Sequence, residues 1–154
     1  ILMLILTAGF LTRLKLLGRT SATMQPEIGM RQGRLIPCIS DLNCVGSTDL
    51  GGKSSIPPLS RTTDPEKFLD RVAGAIQSLG GRIRKREGGY LHAEFPSPLF
   101  GFVDDLEILT DEPTSVAQVR SASRVGKSDL GANRKRVEKL RKLLHETWGG
   151  RADD

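Results

Sequence analysis

The pattern of apolar and polar positions divides the chain into an apolar start, a long stretch without period, and a block of alternating strands and helices. The clearest period begins at Asp64. Phe68, Leu69, Val72, Ile76 and Leu79 recur at spacings of three and four, which marks one buried face of a helix. Asp64 suits the N-cap, Pro65 the first helical position and Glu66 the positive end of the helix dipole. A helix is therefore expected over 65–79, stopped by Gly80-Gly81. The period then shortens to two. Strands over 82–86 and 90–95 flank Gly88-Gly89, a hairpin turn. Along the second of these, Leu91, Ala93 and Phe95 alternate with Tyr90, His92 and Glu94, which makes His92 an ordinary exposed strand residue. After Pro96-Ser97-Pro98 a third strand, 102–109, sets Phe102, Asp104, Leu106 and Ile108 on one face. A fourth strand spans 115–121. The closing helix, 129–148, is capped by Ser128 or Asp129 and carries the stripe Val137, Leu140, Leu143, Leu144 and Trp148.

These elements predict an α+β domain over 56–148, an antiparallel sheet of about four strands with two helices on one face. Residues 18–55 hold no period, and Pro37, Pro57 and Pro58 interrupt any long element, so an extended arm outside the domain is expected. Residues 1–17, ILMLILTAGFLTRLKLL, predict an apolar helix that anchors to a membrane or binds a partner. Its uncharged run ends at Thr12, short of the ~20 residues of a complete span, and Arg13, Lys15 and Arg19 follow. Ile1 rather than Met opens the chain. Three readings of the run stay open: the end of a longer membrane helix, an interfacial anchor, or the remnant of a targeting segment. Residues 149–154 are expected to form a mobile tail.

Asp104 is out of place on an apolar strand face and needs a charged or hydrogen-bonding partner. Arg120 and Arg124 share a parity along the fourth strand, and a structural Asp104–Arg120 ion pair is the expectation. Asp104 and Asp105 point to opposite faces and make no acid pair. The arginines belong to a corner, RSASRVGKSDLGANRKR, that joins the fourth strand to the last helix. Arg120, Ser123, Arg124, Lys127, Ser128, Asn133 and Arg134 are its candidates for binding an anion or a partner. The alternative is that they hold the corner together. Neither nearby catalytic motif has the right spacing. A phosphate loop needs Gly where Ser121 stands, five residues before Gly126-Lys127-Ser128, and a G-x-S-x-G elbow needs Gly where Leu130 stands.

Composition narrows the partners. The net charge of +5 invites nucleic acid, but the few aromatics do not interleave with the basic residues as a stacking platform requires. A membrane surface, lipid, or subunits of a larger membrane complex are the expected partners instead. Cys38 and Cys44 admit either a disulfide closing a small loop or two reduced thiols. The disulfide is expected, with Cα atoms within about 7 Å, in a non-cytosolic protein. With His92 and His145 as the only histidines, no metal site is expected, and no cofactor.

Three stretches resemble one family: CISDLNCVGS (Cys38–Ser47), FVDDLEI (Phe102–Ile108) and the corner Arg120–Arg136. Over roughly Ile36 to Trp148 the chain resembles domain of unknown function 1499. Ile39, Leu42 and Gly46 stand where the commoner form of the first motif resembles Pro, Pro and Ser. The resemblance implies no activity and no catalytic residues. It does imply occurrence in bacteria, cyanobacteria and plastids, often behind an N-terminal signal or membrane segment. The expected function is a non-enzymatic accessory or docking subunit, held at a thylakoid, plastid or bacterial-envelope membrane against a larger, possibly photosynthetic, complex. The alternative is a small anionic-ligand-binding domain, or an unfamiliar hydrolase, working through the Arg120–Arg136 corner.

Overall fold

In the computed structural model, residues 2–49, 51–61, 64–110 and 114–149 are described, the side chains of 2, 4, 5 and 147–149 excepted. The chain order is α1 (Leu2–Thr23), β1 (Met30–Arg31), β2 (Arg34–Leu35), β3 (Cys44–Gly46), β4 (Leu59–Ser60), α2 (Pro65–Ser78), β5 (Arg82–Glu87), β6 (Tyr90–Pro96), β7 (Val103–Thr110), β8 (Val116–Ser123) and α3 (Ala132–Gly149). The expected apolar contacts of Trp148 and the tail 150–154 lie outside the described residues.

The four long strands form an antiparallel sheet, but the sheet is larger than the sequence suggests. It has six strands in the order β3-β8-β7-β6-β5, with β4 also pairing β8, and β1-β2 form a separate ribbon. The extra strands, β1 to β3 from the arm and β4 just beyond it, are two or three residues long, too short for alternation to register in the sequence.

Both α2 and α3 lie on one face. Asp64 caps α2 by accepting the Lys67 amide at 3.0 Å, and Phe68, Leu69, Val72 and Ile76 are buried beneath it. They meet Leu91, Ala93 and Phe95 of β6, Leu106 and Ile108 of β7, Ala117 and Val119 of β8, and Val137 and Leu140 of α3. The arm is laid on the domain rather than outside it, and its Val45 joins this core.

Helix α1 runs six residues beyond its expected end at Leu17. Among its described side chains only Gly18 and Ser21 are buried and Leu14 half-buried, one face at spacings of four and three. Ser21 Oγ donates to the Val103 carbonyl (3.3 Å) and accepts the Val103 amide (2.9 Å). A Cβ at Gly18 would stand 1.7 Å from the Phe100 carbonyl oxygen, so only glycine lets the helix sit this close. Gly18→Val should unseat α1, costing about 1–3 kcal/mol. Limited proteolysis would show it as faster cleavage after Arg13, Lys15 and Arg19 with the sheet intact.

Candidate functional site

The sequence concentrates its polar chemistry at the β8–α3 corner, and the strand pleat sends that chemistry to two sides of the sheet. On the helix side, Asn133 is fully buried. Its Oδ1 accepts from Ser121 Oγ at 2.7 Å and Arg136 Nη1 at 2.6 Å. Its Nδ2 donates to the Asn43 carbonyl (3.0 Å), Ser123 Oγ (2.9 Å) and Asp129 Oδ2 (2.8 Å). Asp129, not Ser128, caps α3, accepting the Gly131 and Asn133 amides at 2.8 Å each. Burial pushes the Asp129 carboxyl up, and these amides more than offset that and hold it below its ordinary range.

Asp104 lies on this side too, as the alternation requires, but its partner is Arg136 at 2.6 Å, not Arg120. Helix α3 packs on the face that Asp104 shares with Leu106 and Ile108, and α3 supplies the arginine. The Arg136 guanidinium also lies 4.7 Å from the centre of the Phe95 ring. Arg120 has the opposite parity and reaches the other face.

That other face carries a buried ionic layer. Register places His92, Glu107 and Arg120 side by side on β6, β7 and β8. Glu107 is fully buried and accepts from Arg120 Nη1 (2.8 Å), Tyr90 Oη (2.8 Å) and the Gly29 amide (2.6 Å). Arg124 donates Nε and Nη2 to Asp105 at 2.8 and 2.7 Å, and also pairs with Glu94. Arg84 binds the second oxygen of Glu94 from β5. His92 Nε2 lies 2.8 Å from Asp105 Oδ1, and the residue is 5% exposed. The expectation of an exposed His92 is thus corrected. Alternation placed it on the side away from the helices, but the arm covers that side. The Glu27 carbonyl caps Arg120, the Ser21 and Met24 carbonyls accept from Arg124, and the Leu35 amide donates to Gln118.

Three carboxylates thus meet three guanidinium groups, so each carboxylate has a cationic partner within the protein. Burial pushes Asp105 and Glu94 up, but the Arg124 hydrogen bonds on both, with His92 on Asp105 and Arg84 on Glu94, leave both below their ordinary carboxylate values. Burial and the Glu107 carboxylate push the Tyr90 hydroxyl up, so it stays protonated as a donor. The pH consequence has a definite sign. Depressed folded-state pKa values mean that the unfolded chain binds more protons, so stability is full above the unfolded carboxylate range. It is lost as pH falls through that range, with Asp105, Glu94 and Asp129 protonating last. Denaturant melts between pH ~2 and ~7 should show stability falling only at the acid end, near and below the ordinary carboxylate pKa values.

The corner candidates do not converge on one opening. Arg120 and Arg124, with Asp105, Ser123, Asn43 and Cys44, line a cavity of about 340 Å³ beneath the arm. Arg134 turns the other way and donates to the Lys53 and Ser55 carbonyls. Ser128 Oγ accepts the Leu130 amide, and Lys127 is exposed. Beside the cavity, Cys38 and Cys44 form a disulfide with Cα atoms 5.7 Å apart. The loop it closes is tied to the corner, its Asn43 carbonyl accepting the Ser123 amide and its Leu42 carbonyl the Asp129 amide. Among the described residues no group of three or more His, Cys, Asp and Glu side chains could hold a metal ion. Sequence reasoning missed His92, Glu94 and Arg136 as members of these networks. The signal for Arg136 was its place one turn after Asn133, on the face of α3 that carries Val137 and Leu140 toward the sheet.

A family model described as protein of unknown function (DUF1499) matches residues 34–144. No curated protein matches the chain.

Proposed function

The chain belongs to the DUF1499 family of proteins of unknown function, and we propose that it is a non-enzymatic accessory domain that docks at a membrane through α1 and contacts a larger membrane complex there. One observation carries this reading. Helix α1 leaves Met3, Leu6, Phe10, Leu11, Leu16 and Leu17 between 43% and 79% exposed, and none of its described side chains belongs to the main core. An apolar surface of this extent marks an interaction site. Arg13, Lys15 and Arg19 on the same helix suit an anionic lipid headgroup layer. Among the described residues no helix is long and apolar enough to cross a membrane. The corner supports the same reading, because its arginines are taken up by internal partners. The Cys38–Cys44 disulfide fits an oxidising compartment, such as a plastid lumen or a bacterial envelope.

The test compares the full chain with a chain lacking residues 1–17, each mixed with vesicles of anionic or neutral phospholipid. The full chain should sediment with anionic vesicles and resist a high-salt wash. The shortened chain should stay in the supernatant and still melt cooperatively, since residues 18–23 keep the Gly18 and Ser21 contacts. A full chain that ignores both kinds of vesicle would overturn membrane docking.

A further inference from the structure

The turn between β6 and β7, residues 97–102, sets a second apolar projection beside α1. Its backbone is closed on itself. The Ser97 amide donates to the Phe102 carbonyl at 2.7 Å, the Phe102 amide to Ser97 Oγ at 3.0 Å and the Gly101 amide to the Ser97 carbonyl at 3.1 Å. Gly101 takes the left-handed conformation that the turn requires (φ 73°), and the Phe100 and Phe102 rings meet edge-on, 6.2 Å between centres. So held, the turn leaves Leu99 at its tip 73% exposed. A large apolar side chain at a rigid tip gains little from burial inside the fold. Its direction follows from α1: Ser21 bonds to Val103 and Gly18 abuts Phe100, so the turn runs along α1 toward the free end of the helix. On the other flank, Pro98 lines a groove of about 400 Å³ with Leu79 and Phe95. Lys135 and Lys139, one turn apart on α3 and both exposed, line the same groove. The carboxylate in the groove, Asp104, is taken up by Arg136 at 2.6 Å, and among the described residues neither lysine has an ion-pair partner.

We infer that the 97–102 turn and the groove beside it form a second lipid contact, with Leu99 inserted among acyl chains and Lys135 and Lys139 on anionic phospholipid headgroups. The order of the chemistries sets the occupant. An apolar tip flanked by cations matches a bilayer, whose apolar interior lies directly beneath a negative headgroup layer. A protein hot spot is a packed cluster, whereas a single projecting leucine suits a fluid phase that closes around it. The inference rests on the docking reading and adds to it a contact that uses no residue of α1.

The experiment places a nitroxide on the full chain through Leu99→Cys, the native cysteines being paired with each other. The control label is at Lys67→Cys, in the first turn of α2 and at the opposite end of that helix from Leu79. Vesicles of anionic phospholipid are added, and collisions of the label with oxygen and with a water-soluble nickel chelate are read. The label at 99 should gain oxygen and lose the chelate, while the label at 67 should stay in water. In sedimentation with the same vesicles, Lys135→Gln and Lys139→Gln should each weaken binding about fivefold. Leu99→Ser should weaken it roughly tenfold. All three side chains are exposed, so melting temperatures should not change, and Lys67→Gln should bind as wild type does. A full chain that binds the vesicles while the label at 99 stays in water overturns this inference and leaves docking through α1 standing. Unchanged binding in Leu99→Ser, or a loss in Lys67→Gln equal to that in Lys135→Gln, overturns it in the same way. A full chain that ignores the vesicles overturns both.

Discussion

Arg124→Ala should be the most damaging single substitution in the protein, lowering stability by about 3–5 kcal/mol. The Arg124 side chain is 4% exposed and neutralises two carboxylates, Asp105 and Glu94, while also meeting the Ser21 and Met24 carbonyls. Its removal leaves Asp105, itself 4% exposed, with His92 alone, and a buried carboxylate without its cation is the costly case. For a domain of this size the melting temperature should fall by on the order of 10 °C. Chemical denaturation should show a lower midpoint with an unchanged slope. Phosphate supplies the control. If Arg124 serves the fold, added phosphate shifts neither wild type nor variant. An unchanged melting point in Arg124→Ala, with a phosphate stabilisation seen only in wild type, would instead make the corner an anion site.

Asn133→Ala should follow, at about 2–4 kcal/mol, because the Asn133 amide joins three parts of the chain. It binds β8 through Ser121 and Ser123, the disulfide loop through the Asn43 carbonyl, and its own helix cap through Asp129. All of these contacts are buried or partly buried, so the groups left behind are poorly served by water. Asn133→Asp separates geometry from hydrogen bonding. It keeps the acceptor for Ser121 and Arg136 but loses the donor to Asn43 and sets a second carboxylate beside Asp129. It should destabilise at neutral pH and recover partly in mild acid, and equal stability across that range would refute this account of Asn133.

The long elements were legible because each carries one period over enough residues. Phe68 to Leu79 show the helix, and Leu91, Ala93 and Phe95 show the strand. The arm was not legible, for a physical reason. Its strands are two or three residues long; β1 and β2 pair with each other, and β3 pairs with β8 more than seventy residues away, which sequence period cannot report. The same gap explains His92. Alternation tells which face a strand residue occupies, and it placed His92 away from α2 and α3; whether that face meets water depends on a segment that shows no pattern of its own. The ion pairs failed by register. Asp104 and Arg120 were matched as buried charges of opposite sign, but they lie on opposite faces of neighbouring strands. The sheet pairs Asp104 with Ser123 and Glu107 with Arg120.

Helix α1 is a single rod gripped at one end. Leu14, Gly18 and Ser21 fix it to the domain, and the twelve residues Leu2–Arg13 extend beyond the grip for roughly 18 Å. A rod held this way transmits orientation as well as attachment. A flexible tether would let the domain turn freely above whatever holds its end. Here the close approach of Gly18 to the Phe100 carbonyl fixes the angle, so under the proposed docking the surface that received α1 would also set which face of the sheet looks outward. Under that proposal, loosening Gly18 would leave the protein attached but free to swing, a loss of alignment rather than of affinity.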